Sequence, residues 1–353
     1  MPRPRQAFTA AAALAVADNT GRISDGFSNI KYKRPMMRNI GRRLLIGLWL
    51  GVTGMGITAI PASSTMAAAA TQQKTFATPE KAVDELIAAN RDNSMRELLA
   101  ILGPDGAKLI SSGDPVADKR GRELFLAAYD EAHKLELDGQ DKAILVVGKE
   151  EWPLPIPLVR RQAGWRFDTK AGVEEILDRR IGRNELSVIE VCRAYVAAQR
   201  EYAAQRLGPG GLPDYAQHFM STGGQHNGLY WPVKPGEEES PLGPLIAQAR
   251  AAGYAPGTPH EKPRPYYGYY FHILTRQGAN APGDTKNYVV DGHMTGGFAL
   301  IVYPATYGDS GIMTFIVNQD GIVYQKKLGP ATARLARQIT QYDPDANWEV
   351  SKP

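Results

Sequence analysis

Three runs near the C-terminus constrain the fold most: PYYGYYFHIL (265–274), FALIVYP (298–304) and GIMTFIVNQDGIVYQKKL (311–328). Their apolar and aromatic residues continue for six residues or more with the two-residue period of a strand. In the first run, Tyr267, Tyr269, Phe271 and Ile273 share one face and Tyr266, Tyr270, His272 and Leu274 the other. In the third run, Asn318–Gly321 has the composition of a type I turn closed by a left-handed glycine, a common hairpin connection. Short loops between such runs call for an antiparallel sheet.

What precedes them is helical. Thr78 before Pro79 is an N-cap followed by proline at the first helical position, and Ser94–Glu97 is a capping box. A third helical pattern covers 118–134, and three strand-like runs follow in KAILVVG, WPLPIPLVRR and GWRFDT. The alternating prolines Pro153, Pro155 and Pro157 cannot donate to a ladder, so that run is an edge strand or an irregular extended segment. A long helix is expected over 182–205. Its stripe Val188, Cys192, Tyr195 and Tyr202 buries the single cysteine as an apolar side chain. Helices followed by antiparallel strands, twice over, make an α+β fold. The expected units are a cone-like domain at 76–178 and a helix-plus-antiparallel-sheet domain at 180–350.

The charge is unevenly placed. Residues 1–70 carry nine basic and two acidic residues, and the remainder carries 32 basic and 35 acidic. A mildly acidic body lacks the basic footprint that nucleic acid requires. Arg38, Arg42 and Arg43 precede an uncharged, largely apolar run from Leu44 to Ile60, followed by Pro61 and an A-x-A site at Ala67–Ala69. That layout is a signal peptide over 36–70, cleaved near Ala69, for a periplasmic or secreted protein; the alternative is an uncleaved anchor. Residues 1–35 read as a mis-annotated extension, with Met36 and Met37 as alternative starts. One cysteine permits neither an internal disulfide nor a cysteine-based zinc site.

ATPEKAVDELIAA, LISSGDPVADKRGRELFLAAYDEAHKL, RRIGRNEL, GQHNGLYWP, PYYGYYFHILTRQG and YGDSGIMTFIVNQDGIVYQKKLG together resemble an exported bacterial family known as domain of unknown function 2950. The resemblance spans nearly all of 76–350 and implies export and a shared fold, with no assigned catalytic residues. ELSVIEVCRAYVAAQREY followed by GYYF and TFIVNQDGIV also resembles the soluble head of pilins and pseudopilins. Here IGRNELSVIEV is too charged to fill a filament core. The first unit resembles a nuclear-transport-factor-like cone, in which Asp168, His133, Glu150 and Glu151 are the candidate polar residues at the mouth.

Tests for chemistry narrow the choice. GDSG (308–311) matches a serine-protease nucleophile loop but lacks the companion histidine motif, so it reads as a turn. The six histidines show no metal-ligand spacing, and no cofactor is expected. His226, Asp291 and His293 form a candidate polar cluster for a hydrolase; with His218 the same residues could converge only as a metal site that no local spacing supports. Tyr230, Trp231, Tyr266 and Tyr270 form a candidate aromatic surface patch for an envelope protein or a glycan. The expected function is a binding or scaffolding module of the cell envelope. The alternatives are the hydrolase or a small-ligand carrier that uses the cone.

Overall fold

The computed structural model describes residues 73–234, 236–237, 239–255 and 263–352. The extension and signal peptide read at 1–70 lie outside the described residues. The fold is α+β.

The first helices form where their caps predict. α1 (Pro79–Arg91) starts at Thr78, whose side chain accepts from Lys81 N, and α2 (Met95–Leu102) starts at Ser94, which accepts from Glu97 N. A short turn of helix, α3 (Ala107–Ile110), leads to α4 (Pro115–Glu131), capped by Asp114. An antiparallel sheet follows: β1 (His133–Leu137), β2 (Lys142–Val147), β4 (Leu158–Arg161) and β5 (Gly164–Phe167) pair in that order. β3 (Trp152–Pro153) is a two-residue strand on β2, after which the prolines leave the ladder as their missing N–H groups require. Phe76 bridges to Trp165 on the far side of β5.

α5 (Thr169–Ala204) is a 36-residue helix. Its first half, through Ile176, Leu177 and Ile181, packs into the hydrophobic cluster that α1, α2 and the first sheet enclose. From Val188 onward it packs into a second cluster built on the C-terminal sheet. The helix therefore starts thirteen residues before the expected 182 and runs without a break through 178–180. Each end of it finds a different apolar partner, which overrides the weak local signal of TKAGVEEILDRR.

Beyond α6 (Gly243–Ala251) the alternating runs become β6 (Tyr269–Leu274), β11 (Ala299–Pro304), β12 (Met313–Asn318) and β13 (Tyr324–Lys327). With β14 (Glu349–Val350) they form an antiparallel sheet ordered β14-β13-β12-β11-β6. α5 contacts β12, and α7 (Thr332–Gln338) contacts β11. Two small ladders flank it: β7 (Arg276–Gln277) with β8 (Lys286–Asn287), and β9 (Val289–Val290) with β10 (His293–Met294). The Asn318–Gly321 turn closes as expected, with Gly321 N donating to Asn318 O at 3.0 Å and φ +80° at the glycine. Cys192 is fully buried, and burial pushes its thiol up to about 12.

Candidate functional site

Four sequence motifs converge at a polar junction between the two clusters: SSGDP (111–115), RRIGRNEL (179–186), PYYGYY (265–270) and YGDSG (307–311). Asp114 is its most connected residue. One carboxylate oxygen caps α4 by accepting from Val116 N and Ala117 N, both at 3.1 Å. The other accepts from Tyr254 Oη at 2.8 Å and Gly268 N at 2.9 Å. Burial holds the Asp114 carboxyl above its usual range, while these donors act in the opposite sense. Burial and the neighbouring Asp114 charge push the Tyr254 phenol well up, so it stays a donor.

α5 supplies the other side of the junction. Arg180 reaches the C-terminal carbonyls of α3, donating to Lys108 O and Leu109 O at 2.8 Å each. Asn184 donates to Ser310 O at 2.9 Å. Glu185 accepts from Ile312 N at 2.8 Å, Met313 N at 2.9 Å and Tyr269 Oη at 3.3 Å. Packing here is tight enough to demand glycine. A Cβ on Gly311 would lie 1.9 Å from Tyr269 Oη, and one on Gly268 would lie 2.8 Å from Ser310 Cβ. Ser310 itself is fully buried, with Oγ donating to Thr306 O and accepting from Thr306 N. GDSG is a turn, as its position between strands predicts, and its serine is no nucleophile in this geometry.

Above Asp114 lies a cluster of half-buried rings. Tyr266, Tyr267, Gly268 and Tyr269 form a two-residue hairpin turn, with Tyr266 N donating to Tyr269 O and Tyr269 N to Tyr266 O. Tyr267 takes φ +50° in it, a left-handed conformation that turns of this kind usually reserve for Asn, Asp or Gly. The Tyr254 ring lies 4.9 Å from Tyr266 and 6.2 Å from Tyr267, and Tyr266 lies 4.3 Å from Tyr267 and 6.3 Å from Phe271. Burial and Tyr267 push the Tyr266 phenol well up.

This arrangement corrects the expected aromatic patch. Tyr230 and Trp231 are 6% and 7% exposed and belong to the C-terminal core. Backbone bonds from Leu229 N to His218 O and from Tyr230 N to Phe219 O turn that run inward. Tyr230 Oη accepts from Arg250. Tyr266 joins the ring cluster, whereas Tyr270 leans on Tyr303 at 5.7 Å. Alternation placed Tyr270 correctly in a strand, but Tyr266 lies in the turn before β6, and a surface shared with 230–231 needed contacts that no local pattern encodes.

The expected polar cluster is likewise distributed. The His226 ring stacks on Trp231 at 4.2 Å and 9°. Asp291, at φ +50° before Gly292, is the turn residue that joins β9 to β10. His293 Nδ1 lies 2.7 Å from Asp214 Oδ2, and Met294 N donates to Asp214 Oδ1. The partner carboxylate is 79 residues away in sequence, beyond the reach of spacing arguments. His218 is exposed, and among the described residues no group of three or more His, Cys, Asp or Glu side chains is placed to hold a metal. In the first unit, His133 stacks on Tyr129 at 3.8 Å, Glu151 pairs with Lys134, Glu150 is exposed, and Asp168 precedes α5 at its cap position. A cavity of about 210 Å³ opens beside β2, between Lys142, Leu154 and Glu175.

A family model described as Protein of unknown function (DUF2950) matches residues 73–351. The chain belongs to this DUF2950 family. No curated protein and no solved structure matches the chain. The DUF2950 region thus takes in every element of the fold, both sides of the polar junction and the ring cluster.

Proposed function

We propose that this DUF2950 protein is exported to the cell envelope and acts there by binding a protein partner through the Tyr254–Tyr266–Tyr267 cluster. The observation that carries the reading is the contrast at the junction. Asp114, Glu185, Asn184 and Ser310 are all engaged by internal donors and acceptors, while the rings above them stay only partly buried, with Tyr267 held at φ +50° in its turn. Aromatic side chains with little neighbouring charge are common at protein interfaces. The rings stand at 41° to 84° to one another, which suits the irregular surface of a protein better than the flat face of a sugar. Export is supported by Arg38, Arg42 and Arg43, the apolar run Leu44–Ile60 and the Ala67–Ala69 site, and by a family match that begins just past it.

The test uses protein expressed with its own N-terminal segment, extracted gently from the envelope and weighed by native mass spectrometry. The expected result is a chain cleaved near Ala69 that carries a stoichiometric protein. Tyr267→Asn gives the turn its preferred Asn-Gly sequence, so the fold should keep its stability while the partner is lost. An uncleaved chain refutes export. A partner retained by the variant, or a glycan in place of a protein, refutes the surface assignment.

The His293–Asp214 pair supports a second reading. A carboxylate-oriented imidazole is half of a general-base arrangement. If the protein is an envelope hydrolase, His293→Ala and Asp214→Asn should abolish turnover without lowering stability.

A further inference from the structure

Sheet edges are the one place where a folded chain leaves rows of backbone donors and acceptors available to another chain. Among the described residues two of the four edges of the two main sheets are closed or short, and a third, β6, is held at its two ends with Phe271 and Ile273 between them. β5 is bridged by Phe76, and β14 has two residues. On the outer side of β6, Tyr266 occupies Tyr269 and Tyr288 N bonds Thr275 O. The fourth edge, β1, is five residues long and has β2 as its strand partner.

The phase of the β1–β2 ladder shows which groups face outward. Asp138 N donates to Lys142 O, in register with the pairs Glu136–Ile144 and Lys134–Val146. In an antiparallel ladder mutually bonded pairs alternate with unbonded ones. Lys134 and Glu136 therefore direct their backbone groups at β2, and His133, Leu135 and Leu137 direct theirs away from it. Leu137 at the end of this edge is 68% exposed.

We infer that β1 pairs with β1 of a second copy of this chain, antiparallel about a two-fold axis at Leu135. The strand is self-complementary in that register. Leu135 faces Leu135 of the second copy, and His133 faces its Leu137, so the outward N–H and C=O groups of all three residues find partners. Between them, Lys134 stands opposite Glu136 of the second copy, and Glu136 opposite its Lys134. These are the unbonded pairs, whose side chains approach most closely. Within one chain the same two side chains already pair at 2.9 Å and are about half exposed, and Lys134 also holds Glu151 at 2.6 Å, so pairing across the axis exchanges the Lys134–Glu136 contact and can leave Glu151 in place. Charged residues on an edge usually repel a neighbouring strand; the K-L-E order turns them into a matching set. The first sheets of the two copies become one continuous sheet. This inference goes beyond the partner-binding reading and does not depend on it.

The test is sedimentation equilibrium of the full chain across micromolar concentrations, with charge swaps at two exposed positions. The wild type should be a dimer. Lys134→Glu places two pairs of carboxylates in opposition, and Glu136→Lys two pairs of ammonium groups. Each should weaken association by about tenfold or more. The double swap Lys134→Glu/Glu136→Lys restores opposite charges across the axis and should restore the dimer, a rescue that a merely structural role for either residue would not produce. A wild-type monomer overturns the inference. So does a dimer that is indifferent to the single swaps, or a double swap that fails to re-associate. Circular dichroism of each variant shows whether the fold is retained. If the single swaps do not fold, Leu137→Lys on the same edge takes their place: a dimer that persists refutes the register, and a monomer supports it.

Discussion

Asp114 does at one position what a helix cap, a turn clamp and a tyrosine anchor would otherwise do at three. Its removal orphans the amides of Val116, Ala117 and Gly268 and the Tyr254 hydroxyl together. Loss of a cap costs about 1 kcal/mol, and each further buried group left unsatisfied costs about 1–3 kcal/mol. Asp114→Ala should therefore destabilise the protein by roughly 3–7 kcal/mol in urea titrations at neutral pH. The pH dependence has a definite sign. Because burial raises the carboxyl above its unfolded value, Asp114 contributes most to stability below that unfolded value, and the contribution is lost as pH rises through the folded one. The gap between wild type and Asp114→Ala should widen on acidification, and a gap that narrows would show that the four donors outweigh burial. The sequence pattern starts α4 at 118 and does not single out Asp114, which the structure shows to be its cap before Pro115. Its links to Tyr254 and Gly268 cross 140 and 154 residues, and nothing in the local pattern anticipates them.

At the scale of elements, what was legible depended on whether an element takes its shape from its own residues. α1 and α2 carry complete capping signals, and β6, β11 and β12 carry clean alternation, so both kinds appear, although β6 begins only at Tyr269 because Tyr266–Tyr269 closes a turn. The first third of α5 was missed because its residues 169–181 pack apolar side chains on one cluster and polar ones at the junction, which blurs a single helical stripe. That segment owes its helicity to what surrounds it. Gly182 sits inside the helix, and no atom would meet a side chain placed there. Gly182→Ala should thus stabilise the protein by about 0.5–1 kcal/mol, because the helix gains propensity without a clash. Gly182→Pro should cost about 3 kcal/mol or more by breaking the ladder. If thermal melts show no difference between the two, the helix is not continuous through 182 in solution.

For the whole molecule the question is whether two hydrophobic clusters mean two independent folding units. One cluster ends at Ile181 and the other begins at Val188, so the cores are separate as apolar bodies. Between them α5 is unbroken, and within that interval and beside it Arg180, Asn184 and Glu185 reach out to both halves. Asp114 ties the first half to Tyr254 and Gly268 of the second. To unfold either half, the chain would have to expose buried polar groups on the face of the other, each at a cost of about 1–3 kcal/mol. That penalty couples the halves more tightly than a covalent linker would. The described region should melt in one transition, with calorimetric and van't Hoff enthalpies equal. Removing the coupling should separate the halves. Combining Asp114→Ala with Asn184→Ala and Glu185→Ala leaves both apolar clusters intact while deleting bonds that join them, so calorimetry of this variant should resolve two transitions. A single, lower transition in the triple variant would instead assign the cooperativity to α5 together with the remaining contacts between the halves, Ile312 against the first cluster and Lys108 with Asp309.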